Sequence, residues 1–186
     1  MRNISDWEIH VEYQSVLVIL VPEAEPLVGP FRSKYDSSTA VGMPAHITIN
    51  YPFLPVEKDK TSAVSKLKSL FSEHESFQFS LAAVKRLPGL LYLEPFPTRP
   101  FTELIRAVPE RFPQSPPYGG IFKEVIPHLT VATTDDNEAL EEINRQFTGV
   151  CVGRLPMRAS ARDVWLMDNG PGLWTTRISF ALAEQI

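Results

Sequence analysis

The chain predicts an α+β fold, and three observations carry that reading. Some apolar runs alternate with the period of strands, others recur at helical spacing, and 17 prolines lie scattered between them. Proline used this way marks many turns between short elements, not a proline-rich tract. With 186 residues, 44% hydrophobic and 22% charged, the sequence fits one globular domain over 1–186 with a sizeable core, and it excludes disordered and fibrous classes.

Ser15 to Val21 is β-branched, apolar on both faces and stopped by Pro22, which predicts a strand inside a sheet. Glu23 to Asp36 holds Leu27, Val28 and Phe31 at helical spacing, with Pro26 and Pro30 predicting a short or broken helix. The stripe Val64, Leu67, Leu70 and Phe71 predicts a helix over 61–73 with Thr61 as its N-cap. Phe77 to Leu81 alternates with period two, Pro88-Gly89 is a turn, and Leu90 to Leu93 follows, so a hairpin is expected.

Pro100 opens a helix carrying Phe101, Leu104, Ile105 and Val108, which Pro109 should interrupt after about two or three turns. Ser115-Pro-Pro-Tyr-Gly-Gly120 must be a loop. Asp135 and Asp136 offer caps for a further helix bearing Leu140, Ile143 and Phe147. Asp163 to Met167 and Trp174 to Leu182 read as paired strands around the turn Asn169-Gly-Pro-Gly172.

Lys+Arg 18 against Asp+Glu 22 leaves a net charge of −4, so the chain lacks the overall basic field that grips long duplex DNA, although a local basic pocket is compatible with it. Cys151, the one cysteine, has no disulfide partner and reads as a small core residue suited to a reducing compartment. Arg2, Asp6, Glu8 and Glu12 precede too short an apolar run for a secretory signal, and there is no ~20-residue apolar stretch to span a bilayer. A soluble, cytoplasmic monomer without membrane partners is expected.

The chemistry sits in two segments of one design, Pro44-Ala-His46-Ile-Thr48-Ile49 and Pro127-His128-Leu-Thr130-Val131. Residues two apart on a strand share a face, so His46 and Thr48 project together while Ile47 and Ile49 enter the core, and likewise His128 and Thr130 against Leu129 and Val131. A cleft holding both pairs would contain two imidazoles and two hydroxyls. That inventory suits displacement at a phosphodiester: one neutral imidazole takes a proton from water, the other, protonated, gives one to the departing oxygen, and the threonines donate to non-bridging oxygens. Histidine's ordinary pKa of ~6.5 makes both states accessible near neutrality, and a bell-shaped pH profile should follow.

A single H-x-T is a weak signal. His74-Glu-Ser76 has the same spacing without strand patterning and reads as solvated surface, while His10 lacks the motif. The plain alternative for His46 and His128 is a pair of structurally satisfied strand-end histidines. Repetition of the strand context and the preceding proline, about 80 residues apart, favours function.

The doubled motif, with the Ser15–Val21 strand and the Tyr118-Gly-Gly120 loop before Pro127-His128-Leu-Thr130-Val131-Ala132, resembles the two-histidine (2H) phosphoesterase superfamily, in particular its 2′-5′ RNA ligase-like and cyclic phosphodiesterase branches. The likeness runs from about Ser15 to about Leu182. It implies a bilobal fold of two pseudo-symmetric antiparallel β-rich lobes with helices outside and a central cleft. It also implies metal-independent phosphodiester hydrolysis or its reverse, with His128 as general base and His46 as general acid. Many RNA ligase-like members carry an arginine where this chain has Thr133, a departure that bears on the RNA substrate more than on the chemistry.

Arg32, Lys34 and Lys123 are candidates for the missing positive charge. Tyr51, Phe53, Tyr118 and Phe122 are candidates for base stacking, with Tyr118 favoured by its loop position. The expected substrate is a small nucleotide or RNA terminus bearing a 2′,3′-cyclic or 2′-5′ phosphodiester, turned over without metal or cofactor. Two other readings remain at this point: a phosphate-binding module that holds a nucleotide or RNA without cleaving it, and a metal site. Zinc normally takes at least three protein ligands, and neither motif is accompanied by an acid or thiolate at suitable spacing.

Overall fold

The structure, a computed structural model, describes residues 13–53, 60–122, 124–170 and 172–184. Its strands are β1 (Ser15–Leu20), β2 (His46–Phe53), β3 (Phe77–Leu87), β4 (Leu90–Phe96), β5 (Leu129–Thr133), β6 (Met157–Ala161), β7 (Asp163–Asp168) and β8 (Thr175–Ala181). The helices are α1 (Glu25–Tyr35), α2 (Ser37–Ala40), α3 (Lys60–Ser72), α4 (Arg99–Arg111) and α5 (Asn137–Cys151). Two antiparallel sheets form, with strand orders β2-β1-β7-β8 and β5-β4-β3-β6.

Alternation decides which side of each sheet is covered. Leu17, Ile19, Ile47, Ile49, Val164 and Leu166 of the first sheet and Phe79, Leu81, Leu91, Leu93, Leu129 and Val131 of the second enter one continuous core. The apolar stripes of α1, α3, α4 and α5 complete it. The other face of the first sheet carries a smaller cluster, Val16, Val18, Met43 and Met167, flanked by half-buried Tyr51, Trp165 and Trp174. The motif strands β2 and β5 are edge strands of different sheets, and they approach each other. This arrangement is the bilobal α+β architecture expected.

Several local expectations need correction. Pro26 and Pro30 do not break α1: Pro26 occupies the first turn, where its missing N–H costs nothing, and Pro30 removes one bond while Leu27 and Val28 stay buried. Pro109 likewise sits inside α4, which continues to Arg111 because Phe101, Leu104, Ile105 and Val108 hold its packed face. Thr61 lies inside α3 and not at its cap. Asp136 does cap α5, its Oδ1 accepting from the N–H of Glu138 and Ala139 at 2.9 and 3.1 Å. Cys151 is buried, and desolvation pushes its thiol up to about 11 against the opposing charge of Arg154, which makes it an inert packing residue.

Candidate functional site

Both motif strands carry the same irregularity. Thr48 pairs with Val18 but Asn50 with Leu17, and Thr130 pairs with Tyr92 but Ala132 with Leu91, so each strand bulges directly after its threonine. As far as the bulge residues Ile49 and Val131 the alternation is as expected: these two, Ile47 and Leu129 are buried while His46, Thr48 and Thr130 are partly open. The bulge in β2 lets Ile49 and Asn50 both turn inward and returns Tyr51 to the open side. His128 immediately precedes β5, and Thr130 lies within it.

Each imidazole is anchored in one way. Nδ1 of His46 lies 2.7 Å from the carbonyl of Pro44, and Nδ1 of His128 lies 2.7 Å from that of Ile126, each two residues upstream. A carbonyl only accepts, so both Nδ1 atoms carry hydrogen and both Nε2 atoms are left with a lone pair to take a proton. The two rings are electrostatic neighbours, a charge on His128 disfavouring one on His46. Desolvation is the largest influence on His46; Arg32 and His128 act in the same direction, Pro44 and Asp36 oppose, and the pKa falls to about 4. His128 is also lowered, by desolvation against the bond to Ile126.

Side chains that the sequence did not single out complete the site. Tyr92, buried beside Thr130 on the neighbouring strand, presents its ring to His128 at 5.7 Å between centroids and 67° between planes. Trp174 packs against Tyr51 at 6.3 Å. Asn50 donates from Nδ2 to the carbonyl of Ser115 at 3.0 Å and so ties the loop of Tyr118 to the motif strand. Tyr92 has no spacing signal relative to His128, because only the β4–β5 register brings them together.

Of the aromatic candidates, Tyr118 comes nearest the motif residues. Its hydroxyl lies close enough to Thr48 to feel it electrostatically, its ring packs on Tyr51 at 6.3 Å and Phe122 at 5.5 Å, and burial keeps it a neutral phenol. Its backbone is left-handed, φ 50°, followed by Gly119 and Gly120 at φ 64° and 77°. Glycine adopts that conformation freely and tyrosine at a cost, so the ring contacts hold it there. Tyr51 is a wall, its hydroxyl donating to Oε1 of Gln14 at 2.7 Å. Phe122 is 59% exposed. Phe53 belongs to the core, edge-on to Phe112 at 5.2 Å.

The cation candidates separate. Arg32 is 1% exposed and bonded inside the protein, so it is no open phosphate ligand. Lys34 is exposed on α1, and Lys123 lies outside the described residues, as does His10. Lys85, exposed and directly across from Tyr92 in the sheet, is a cation on the face that Thr130 shares, two strands away from it, and no sequence signal marked it. Thr133 donates to the carbonyl of Tyr35 at 3.2 Å. His74 is half-buried at the end of α3, more enclosed than expected. Among the described residues no cluster of His, Cys, Asp or Glu could hold a metal ion, and no helix is long and apolar enough to cross a membrane.

Comparison with known proteins agrees with this architecture. No curated protein sequence matches the chain. Escherichia coli LigT, in a structure complexed with 3′-AMP, superposes with a TM-score of 0.57 at 18% identity, covering 91% of this chain and 97% of that one. TT0787 of Thermus thermophilus gives 0.58 at 13% identity over 93% and 100%, and a phosphoesterase gives 0.58 at 15% over 91% and 98%. At these identities the likeness is one of fold. The model of the 2′-5′ RNA ligase superfamily matches residues 20–172, spanning both motifs, and the chain belongs to that superfamily.

Proposed function

We propose that the protein is a metal-independent phosphodiesterase that opens a 2′,3′-cyclic phosphate, or cleaves a related cyclic or 2′-5′ phosphodiester, at a nucleotide or RNA end. One observation carries the reading: two imidazoles, each held through Nδ1 by the carbonyl two residues upstream, keep Nε2 available beside a threonine, and the two motifs adjoin at neighbouring sheet edges. The complex of E. coli LigT with 3′-AMP supports a nucleotide as the ligand.

In the forward reaction a neutral imidazole takes a proton from water through Nε2 as the water oxygen bonds to phosphorus. The second, protonated imidazole donates to the departing ribose oxygen as its bond to phosphorus breaks. Thr48 and Thr130 donate to the non-bridging oxygens, where negative charge builds up. Tyr118 stacks the base, with Phe122 at its rim, and Lys85 adds positive charge on the open face.

The environments of the rings favour the opposite allocation to the one that the resemblance implies. His46 has a buried cation behind it and is driven further toward its neutral form, which suits the base. His128 lacks that cation among the influences on it and suits the acid.

The test is turnover, without added metal, of 2′,3′-cyclic nucleotides, 2′-5′ dinucleotides and cyclic-phosphate-ended RNA by the wild-type protein, His46→Ala and His128→Ala. Each variant should fold and lose at least ~100-fold in turnover, the scale of a missing acid or base. Undiminished turnover in both variants overturns the assignment. Binding of these compounds with no product from the wild-type protein would make the site a phosphate-binding module instead.

A further inference from the structure

The two motifs match in sequence, tautomer and bulge, yet what lies behind them differs. Behind His46, between α1 and the chain entering β2, is the guanidinium of Arg32, 1% exposed. Taking such an ion out of water costs several kcal/mol, recovered only where its donors are satisfied. Nε of Arg32 donates to Oδ2 of Asp36 at 3.0 Å, and Nη2 donates to the carbonyl of Met43 at 3.0 Å and to Oγ of Ser38 at 3.4 Å. Nη1 stands 3.8 Å from Oε1 of Glu25.

These partners fix the backbone on which His46 hangs. The Met43 carbonyl accepts from Arg32, and the Met43 N–H donates to the carbonyl of Ser38 at 3.0 Å. The Ala45 N–H donates to Oε1 of Glu25, and its carbonyl accepts from the Val21 N–H at 2.9 Å. Between them lies the Pro44 carbonyl that holds Nδ1 of His46. The charged groups acting on His46 are Arg32 and Asp36 from the α1 side and His128 from across the site. Glu25, paired with Arg32, faces the same turn. On the His128 side, the described contacts are the Ile126 carbonyl and the Tyr92 ring, with no charged group among the influences on the imidazole.

We propose that Arg32 is a positioning residue for the reaction: through Met43, Glu25 and Asp36 it clamps the turn that presents His46, and it gives the first histidine a charged neighbourhood that the second lacks. In the two-histidine reading above, on which this rests, that asymmetry makes one of two matching motifs the base and leaves the other as the acid. A guanidinium is suited to the task because its rigid plane aims separate nitrogens at a carboxylate and a carbonyl, whereas the donors of an ammonium all radiate from one nitrogen.

The test titrates the imidazoles by nitrogen-15 NMR in the full chain, in wild type, Arg32→Gln and Asp36→Asn. It needs no substrate and so stands apart from the outcome of the turnover assay. Asp36→Asn keeps the oxygen that caps α2, although its single amide oxygen cannot also accept from Nε of Arg32, and Arg32→Lys is the second variant should Arg32→Gln not fold. In Arg32→Gln the His46 titration should rise toward the ordinary ~6.5, by at least about half a pH unit. In Asp36→Asn it should stay at or below the wild-type value, and His128 should move in neither.

Arg32→Lys retains charge but not the fork. It should lower kcat about tenfold with KM changed much less, the usual scale for a lost supporting contact, and leave the acid limb of the pH profile in place. A His46 titration that rises in Asp36→Asn, or that is unmoved in a folded Arg32→Gln, overturns the proposal. Wild-type kcat in a folded Arg32→Lys overturns the clamp.

Discussion

Nδ1 of His46 and of His128 is committed to a backbone carbonyl, so each ring has one nitrogen for chemistry and its environment decides the protonation state there. With His46 at about 4 and His128 below its ordinary 6.5, a base that must be neutral works above about 4 and an acid that must be protonated works only below 6.5. The profile of kcat/KM, which reports the free protein, should therefore be a bell centred on the acid side of neutrality. A profile still rising through pH 8 would remove His128 from the acid role. The four motif residues were legible because H-x-T on a strand is a local pattern with one geometric consequence. Tyr92, Arg32 and Asn50 were not, since their roles depend on a register, a burial and a loop contact that join distant segments. Arg32 was noticed for its charge alone, and burial reverses what that charge means.

At the scale of elements, the bulge after Thr48 turns Asn50 inward to hold Ser115, so the strand that presents one threonine also holds the loop whose tyrosine lies close to it. Asn50→Ala leaves the Ser115 carbonyl buried without its donor and should cost about 1–3 kcal/mol in urea unfolding. The freed loop should raise KM more than it lowers kcat; an unchanged KM would show that the loop is held by its aromatic contacts alone. Long, strongly patterned elements could be read from sequence, as α3, α5, β1 and the β3–β4 hairpin demonstrate. Proline misled at α1 and α4, where a buried face outweighs one missing bond. β6 went unread because its inward residues, Ala159 and Ala161, leave a faint alternation, and four-residue α2 depends on the cap from Asp36.

For the whole molecule, placing the site where two sheets meet over one core means that both histidines are desolvated, and folding then competes with protonation. Between pH 6.5 and about 4 the unfolded chain binds a proton at position 46 that the folded chain refuses, so stability should fall as pH drops through this window and this contribution should level off below it. His128, shifted the same way, adds to the loss. Asp168 behaves differently. Burial alone would raise its pKa, but the forked pair with Arg177 at 2.7 and 2.8 Å, the Tyr13 hydroxyl and the Gly170 N–H outweigh burial and hold it below its ordinary value. Its contribution is therefore complete above the unfolded value of 3.8 and is lost only as pH falls further. Acid unfolding should thus proceed in two phases, a histidine phase and then a carboxylate phase. Urea midpoints in phosphate-free buffer at pH 7, 5.5 and 4.5 measure the first, and His46→Gln should reduce it to the share of His128 while leaving the second intact. A wild-type midpoint that is constant from pH 7 to 4.5 would mean that the imidazoles titrate as exposed groups do, and the burial on which their proposed roles depend would have no energetic expression.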